Sequence, residues 1–309
     1  MNNSFIDTAR ICPCCGAQAS HAIVSISAQQ IADNNWSYRE NYRSLLNLSG
    51  DELYDIVKCS ECDFIYSKNL PSPEFLGLVY DQVIDLNTEQ ALAQYKNEHP
   101  RRLNYLSILS HLVSDNTSDL KALDFGAGFG QTSKIMQALD IDVVAYETSA
   151  LRRSSLSELG INTVSTIDQI IKNGPYSVII CDNVLEHVPD PNTVIELFKS
   201  ISHANTIVFI SVPSYEKQEV NRSLDMSLNP WEHLNYFDKQ HLDIMLAKHN
   251  FEVIPADQLG AEINIGLRIE SSSIARLKNA AISCLRLLRF VANGTSVDSV
   301  NRRFYRLNK

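Results

Sequence analysis

Three groups of residues in this 309-residue chain have types and spacing suited to chemistry. The first is Leu123-Asp-Phe-Gly-Ala-Gly-Phe-Gly-Gln131, a glycine loop directly after a short apolar run. Glycines at such a point let the backbone turn sharply and approach a ligand closely. A dinucleotide fingerprint, G-x-G-x-x-G, needs glycine at position 131, and that residue is Gln131, so the register here is G-x-G-x-G. Asp124, just before the loop, suits a ligand bearing an amino group and a sulfonium cation better than a pyrophosphate. Glu147 lies seventeen residues beyond Gly130 at the end of the next apolar run. A carboxylate there accepts hydrogen bonds from both hydroxyls of a ribose.

The second group is the cysteines. Of seven, four form the C-x-x-C pairs Cys12/Cys15 and Cys59/Cys62, a spacing that lets a tight turn aim two thiolates at one tetrahedral ion. Gly16 fits the close turn under the metal. In an intracellular chain a metal outranks disulfides, so Cys12, Cys15, Cys59 and Cys62 are expected to hold one structural Zn2+. Cys14 could replace either Cys12 or Cys15. Cys181 and Cys284 read as small buried apolar residues. The third group is His187 and the Glu232-His233 pair. Each histidine could move a proton, and Glu232 could raise the basicity of its neighbour.

Elements must bring these groups together. Residues 17–58 read as an irregular bridge between the cysteine pairs, built from a hairpin or short helices. Helical patterns follow at Glu74–Tyr80 and Glu89–Val113. From Leu120 the chain alternates strand and helix: strands Leu120–Asp124, Asp142–Tyr146, Ile161–Val164, Tyr176–Cys181 and Thr206–Val212, with helices Gln131–Leu139, Ala150–Leu159, Ile167–Lys172 and Asn192–Ser202. A helix Lys239–His249 and strands Phe251–Pro255 and Glu262–Ile269 complete the pattern. Such alternation predicts an α/β fold, a doubly wound, mostly parallel seven-stranded sheet, beside a small N-terminal zinc-binding domain. The expected boundaries are 1–85 for the zinc module, 86–270 for the sheet domain and 271–309 for a basic helix and tail.

The loop Asp124-x-Gly126-x-Gly128-x-Gly130 and the acid at Glu147 resemble the class I S-adenosylmethionine-dependent methyltransferase superfamily, over roughly Leu103 to Ile269. Tyr176–Pro191, with Val184-Leu-Glu-His187 and Asp190-Pro191, is similar to the fourth strand and following loop of these enzymes. Trp231-Glu-His-Leu-Asn-Tyr-Phe237 and Phe251-Glu-Val253 resemble their late segments, with Asn250 where glycine is usual. The cysteine pairs, the Leu70-Pro-Ser-Pro73 turn and Tyr80 narrow the likeness to zinc-domain methyltransferases of nucleotide-linked deoxysugars and natural products. That resemblance implies S-adenosylmethionine as cofactor, held by Asp124, Phe125, Gly126, Ala127, Gly128, Gly130, Glu147 and Asn183. It also implies that Tyr80, His187, Glu232 and His233 surround a small-molecule, sugar-linked substrate. The sugar C-methylating members carry a large extra C-terminal domain, whereas about forty residues follow Ile269 here, so the resemblance leaves the exact substrate and acceptor atom open. Two other readings are an RNA methyltransferase with a zinc finger and a catalytically inactive binding protein with the same fold.

A net charge of −9 weighs against a nucleic-acid partner, because such binding rests on Lys and Arg contacts to phosphate. The charge is uneven: residues 268–309 carry nine Lys/Arg against two Asp/Glu. Apolar runs such as Ile207–Ile210 are too short to span a bilayer, so a cytoplasmic location is expected. The oligomeric state stays open. Ile274, Leu277, Ala281, Cys284, Leu288 and Val291 fall on one face of a predicted helix, expected to pack on its own chain.

Overall fold

The computed structural model describes residues 5–6, 10–34, 39–45, 53–80, 83, 120–215, 229–255, 258 and 300–308. The helices expected at Glu89–Val113 and around Ile274–Val291, and the strand expected at Glu262–Ile269, lie outside the described residues.

The N-terminal part contains β1 (Phe5–Ile6), β2 (Ser20–Ser27), α1 (Ala28–Asn34), α2 (Arg39–Ser44), β3 (Leu53–Cys59), β4 (Ile65–Ser67), β5 (Leu70–Pro71) and α3 (Pro73–Val79). The bridge between the cysteine pairs therefore holds both strands and short helices. β2 and β3 pair antiparallel from Ser20↔Cys59 to Ser27↔Leu53. That register places the start of β2, just after the first cysteine pair, against the end of β3, where the second begins. Ser72 caps α3 by accepting the Phe75 N–H, and Pro73 starts the helix with its φ already set.

The α/β part runs β6 (Lys121–Phe125), α4 (Gln131–Ala138), β7 (Asp142–Tyr146), α5 (Ala150–Glu158), β8 (Asn162–Val164), α6 (Ile167–Asn173), β9 (Tyr176–Asp182), α7 (Pro191–Ser200), β10 (Ser202–Pro213), β11 (Asn235–Tyr236), α8 (Lys239–Lys248), β12 (Phe251–Val253) and β13 (Val300–Leu307). Seven of these strands form one sheet in the order β12-β13-β10-β9-β6-β7-β8. β8, β7, β6, β9 and β10 are parallel, and β13 runs antiparallel to both β10 and β12. Central strands such as Val178-Ile-Ile-Cys181 are buried apolar runs, as helices on both faces require.

One strand differs from the sequence reading. The seventh strand comes from Val300–Leu307, inside the stretch read as a basic helix and tail. Its arginines disguise it in the sequence, but Arg303 meets Asp243 at 3.3 Å and the Tyr305 hydroxyl donates to Asp243 at 2.7 Å. Phe304 packs on Phe209, ring centroids 5.0 Å apart.

The two parts share elements. β11 pairs with β4 and so completes the N-terminal sheet, β11-β4-β3-β2, with residues from beyond β10. Just before it, Trp231 is fully buried against Tyr42, Tyr54 and Phe75. Arg10 locks this joint from the other side. Its guanidinium donates to the carbonyls of Ser67, Leu234 and Pro189 and to Asn235 Oδ1. The N-terminal module expected to end at residue 85 thus takes an edge strand and a core tryptophan from residues 231–236.

Two expectations follow. Phe304→Ala should lower stability by about 3 kcal/mol through the cavity left against Phe209, read by urea unfolding; a change under about 0.5 kcal/mol would deny β13 its place in the sheet. Arg10→Ala should cost on the order of 3 kcal/mol, because buried acceptors lose their donors together, and should speed amide hydrogen exchange at Leu234 and Asn235, whose N–H groups are bonded to the Glu186 carbonyl.

Candidate functional site

Parallel strands end at one edge of the sheet, and the chain reverses its winding between β6 and β9, where ligands bind in such folds. The glycine loop leaves β6 at this point. Gly126 has φ +79°, and a Cβ there would sit 2.4 Å from Val184 Cγ2, so both conformation and space call for glycine. The Gly126 and Ala127 N–H groups donate to the Tyr146 carbonyl at the end of β7. Asp124 is buried and accepts from the Ser133 hydroxyl at 2.6 Å, which ties β6 to α4.

Glu147 sits at the end of β7, also buried. Its carboxylate accepts the Gly128 N–H at 2.8 Å and the Ser149 N–H at 2.9 Å. A carboxylate offers about four lone-pair sites, so two remain for hydroxyl donors. Arg152 lies 3.9 Å from Glu147 and stacks on Tyr80 and Phe129, at 5.8 and 5.5 Å from the ring centroids. Sequence reasoning missed Arg152; its signal is its place in the first turn of the helix after the acid-ending strand. Asn183 follows β9 in a left-handed conformation, its N–H bonded to the Ser211 carbonyl. Phe125 stacks on Tyr146 as the strand ends.

The histidines converge next to this loop. His187, after β9, and His233, after β10, have ring centroids 4.8 Å apart, and the Tyr80 ring meets His187 edge-on at 6.3 Å. His187 Nδ1 lies 2.8 Å from the Glu232 carbonyl. A carbonyl only accepts, so Nδ1 carries the hydrogen and Nε2 keeps its lone pair. His233 Nδ1 pairs with the Tyr215 hydroxyl at 2.8 Å, while Glu232 Oε1 accepts from Asn229. Glu232 therefore serves the cluster through its main chain, with a carboxyl oxygen turned to Asn229. Burial pushes the Glu232 carboxyl up to about 7.

Two further residues escaped sequence reasoning: Tyr215, and Glu186 in the middle of Leu185-Glu-His187. Glu186 is 1% exposed, and neither of its side-chain oxygens has a hydrogen-bond partner among the described residues. Burial, with Asp182 adding to it, pushes its carboxyl up to about 8. Burial, reinforced by His233, holds His187 down at about 3.

The thiols of Cys12, Cys15, Cys59 and Cys62 form a separate cluster whose ligand atoms lie within 4.8 Å of one another. Cys12 Sγ is 3.7 Å from Cys62 Sγ, and Cys15 Sγ is 3.5 Å from Cys59 Sγ. Tetrahedral thiolates about 2.3 Å from one ion stand roughly 3.8 Å apart, so the four are set to hold a metal. The Gly16 and Asp63 N–H groups close the two knuckles onto the Cys12 and Cys59 carbonyls, with left-handed turns at both residues. Cys14 is buried as well and is not one of these four.

Among the described residues no helix is long and apolar enough to cross a membrane. Comparison with known proteins gives three kinds of match. A ubiquinone biosynthesis O-methyltransferase from Paraburkholderia phymatum is 30% identical over 131 residues, 38% of this chain and 54% of that protein. One from Nitrosomonas europaea is 32% identical over 123 residues, 37% of this chain and 50% of that protein. The chain thus spans about half the length of the curated relatives it matches. Among solved structures, the plantazolicin methyltransferase BpumL in complex with SAH superposes with a TM-score of 0.49 at 14% identity, covering 76% of this chain and 94% of that one. A Burkholderia thailandensis 1,6-didemethyltoxoflavin-N1-methyltransferase superposes with a TM-score of 0.47 at 14% identity, covering 65% and 86%. The family model described as a methyltransferase domain matches residues 95–256, just over half of the chain, and the chain belongs to that family.

Proposed function

We propose that this chain is an S-adenosylmethionine-dependent methyltransferase acting on a small molecule. The observation that carries the reading is Glu147, a buried carboxylate that clasps the glycine loop at the sheet's switch point and keeps lone pairs for a ribose. Asp124, Phe125, Gly126, Ala127, Gly128, Gly130, Glu147 and Asn183 would line the cofactor. Bound there, the cofactor supplies an electrophilic methyl group on a sulfonium sulfur. The chain's own task is to align an acceptor with that carbon and manage the acceptor's proton. Tyr80, His187 and His233 stand together beside the glycine loop, and a weak acceptor loses its proton at this cluster. Glu232 fixes His187 through its carbonyl.

For the acceptor, we infer a saccharide or natural-product intermediate, in line with the order of cysteine pairs, proline turn and Tyr80. The curated relatives are named O-methyltransferases, which supports an oxygen acceptor. The thiolate quartet would hold Zn2+ as a structural ion, since four cysteines leave it no open position. An RNA substrate is disfavoured by the net charge of −9. The intact glycine loop, Glu147 and both histidines disfavour an inactive relative.

Glu147→Ala should weaken S-adenosylmethionine binding by about 1–3 kcal/mol in calorimetry, since charge-assisted hydrogen bonds disappear; unchanged affinity removes Glu147 from the ribose role. Elemental analysis should find zinc in protein purified without chelator. Cys59→Ser should lose it and unfold the N-terminal sheet, because such an ion contributes much of a small module's folding energy. A metal-free but stably folded wild type would sink the zinc assignment.

A further inference from the structure

Glu186 is a fully buried carboxyl with no hydrogen-bond partner on either oxygen among the described residues. An isolated buried carboxyl costs stability unless something compensates it. What faces it is His187 Nε2, 3.6 Å from Oε1. That separation is too long for a hydrogen bond. It matches the roughly 3.4 Å between two ligands that each sit about 2.0–2.2 Å from one tetrahedral ion. The thiol pairs of the cysteine quartet show the same relation, standing apart by a ligand-to-ligand distance.

His233 completes the set, with ligand atoms of Glu186, His187 and His233 all within 4.8 Å of one another. Both imidazoles are oriented from behind, His187 by the Glu232 carbonyl and His233 by the Tyr215 hydroxyl, each at 2.8 Å from Nδ1. Outer hydrogen bonds of this kind fix the ring and tautomer of metal-binding histidines. Two histidines and one carboxylate form a donor set that suits first-row ions and leaves coordination positions open.

We propose that Glu186, His187 and His233 form a second metal site, separate from the thiolate quartet, for a divalent first-row ion with nitrogen and oxygen ligands. The ion supplies the counter-charge that the buried carboxyl lacks. It rests on the methyl-transfer reading only for what fills the open positions, which is an acceptor oxygen. There the ion lowers the acceptor's own pKa. The acceptor O–H bond breaks with its proton passing to solvent, and an oxygen–carbon bond forms as the sulfur–carbon bond of the cofactor breaks.

The test uses the full chain with its thiolate zinc in place. Mn2+ is the probe, because it favours oxygen and nitrogen donors over thiolates; binding is followed by loss of the free-ion electron paramagnetic resonance signal. One Mn2+ per chain is expected, bound at least tenfold more weakly in Glu186→Gln and in His233→Ala. Absence of bound Mn2+ at millimolar concentration overturns the site, and so does binding unchanged in both variants. If a variant fails to fold, the wild-type stoichiometry decides alone. Calorimetry with S-adenosylmethionine on the same preparations separates the two ideas. Cofactor binding without a second ion sinks only the metal site, whereas a bound ion without cofactor binding sinks the methyl-transfer reading.

Discussion

The histidine cluster hangs on how Asn235 is held. Its side-chain N–H groups donate to the Leu185 and Val188 carbonyls, and its Oδ1 accepts from Arg10. Its backbone N–H and that of Leu234 both reach the Glu186 carbonyl. One fully buried amide thus fixes the loop that carries Glu186 and His187, the segment that carries His233, and the arginine that enters from the N-terminal part. Buried polar groups are costly unless all are paired. A network that satisfies them in one arrangement therefore makes that arrangement strongly preferred. The histidine cluster is precise because it inherits this constraint.

The glycine loop is held by a different device. Its N–H groups bond to the end of the neighbouring strand, Gly126 and Ala127 to the Tyr146 carbonyl and Gly128 to the Glu147 carboxylate. Loop and acid are thereby tied to the same strand end, an arrangement that lowers the ordering cost of binding a ligand there. Arg152 extends this arrangement towards the histidines by stacking on Phe129 and Tyr80. The glycine loop and the histidine cluster are connected by side-chain packing as well as by the sheet beneath them.

The N-terminal part also acts at this site, although its cysteines lie apart from the histidines. β11 and Trp231 are the route: the segment that completes its sheet and fills its aromatic core also presents Glu232 and His233. The cysteine quartet lies at the end of β3 and in the turn into β4, the strand on which β11 lies. The two donor sets differ in kind. Thiolates suit a soft, closed structural site, whereas imidazole and carboxylate suit a harder, open one.

Local pattern was enough for much of this. The glycine register, the acid at 147, the two C-x-x-C pairs and the alternation from Leu120 to Val212 each depend on residues close in sequence, and strands, turns and knuckles form from such neighbours. The parallel sheet followed from the same alternation, because the crossover helices leave little other choice. Three features depended on long-range pairing. The last strand is Val300–Leu307, whose arginines suggest a solvated tail until Asp243, on a helix more than fifty residues earlier, is placed beside them. Cys14 and Cys15 are adjacent and chemically alike, and it is Cys15 whose thiol stands with Cys12, Cys59 and Cys62 in the fold. Glu186 passes in the sequence for an ordinary acid of a strand-end loop, and Tyr215 for a loop aromatic. Their surroundings come from burial and from His233, which lies 18 residues beyond Tyr215 and is brought beside Glu186 and His187, and no local pattern encodes this: a side chain's environment is set by chain segments that meet only when the fold closes.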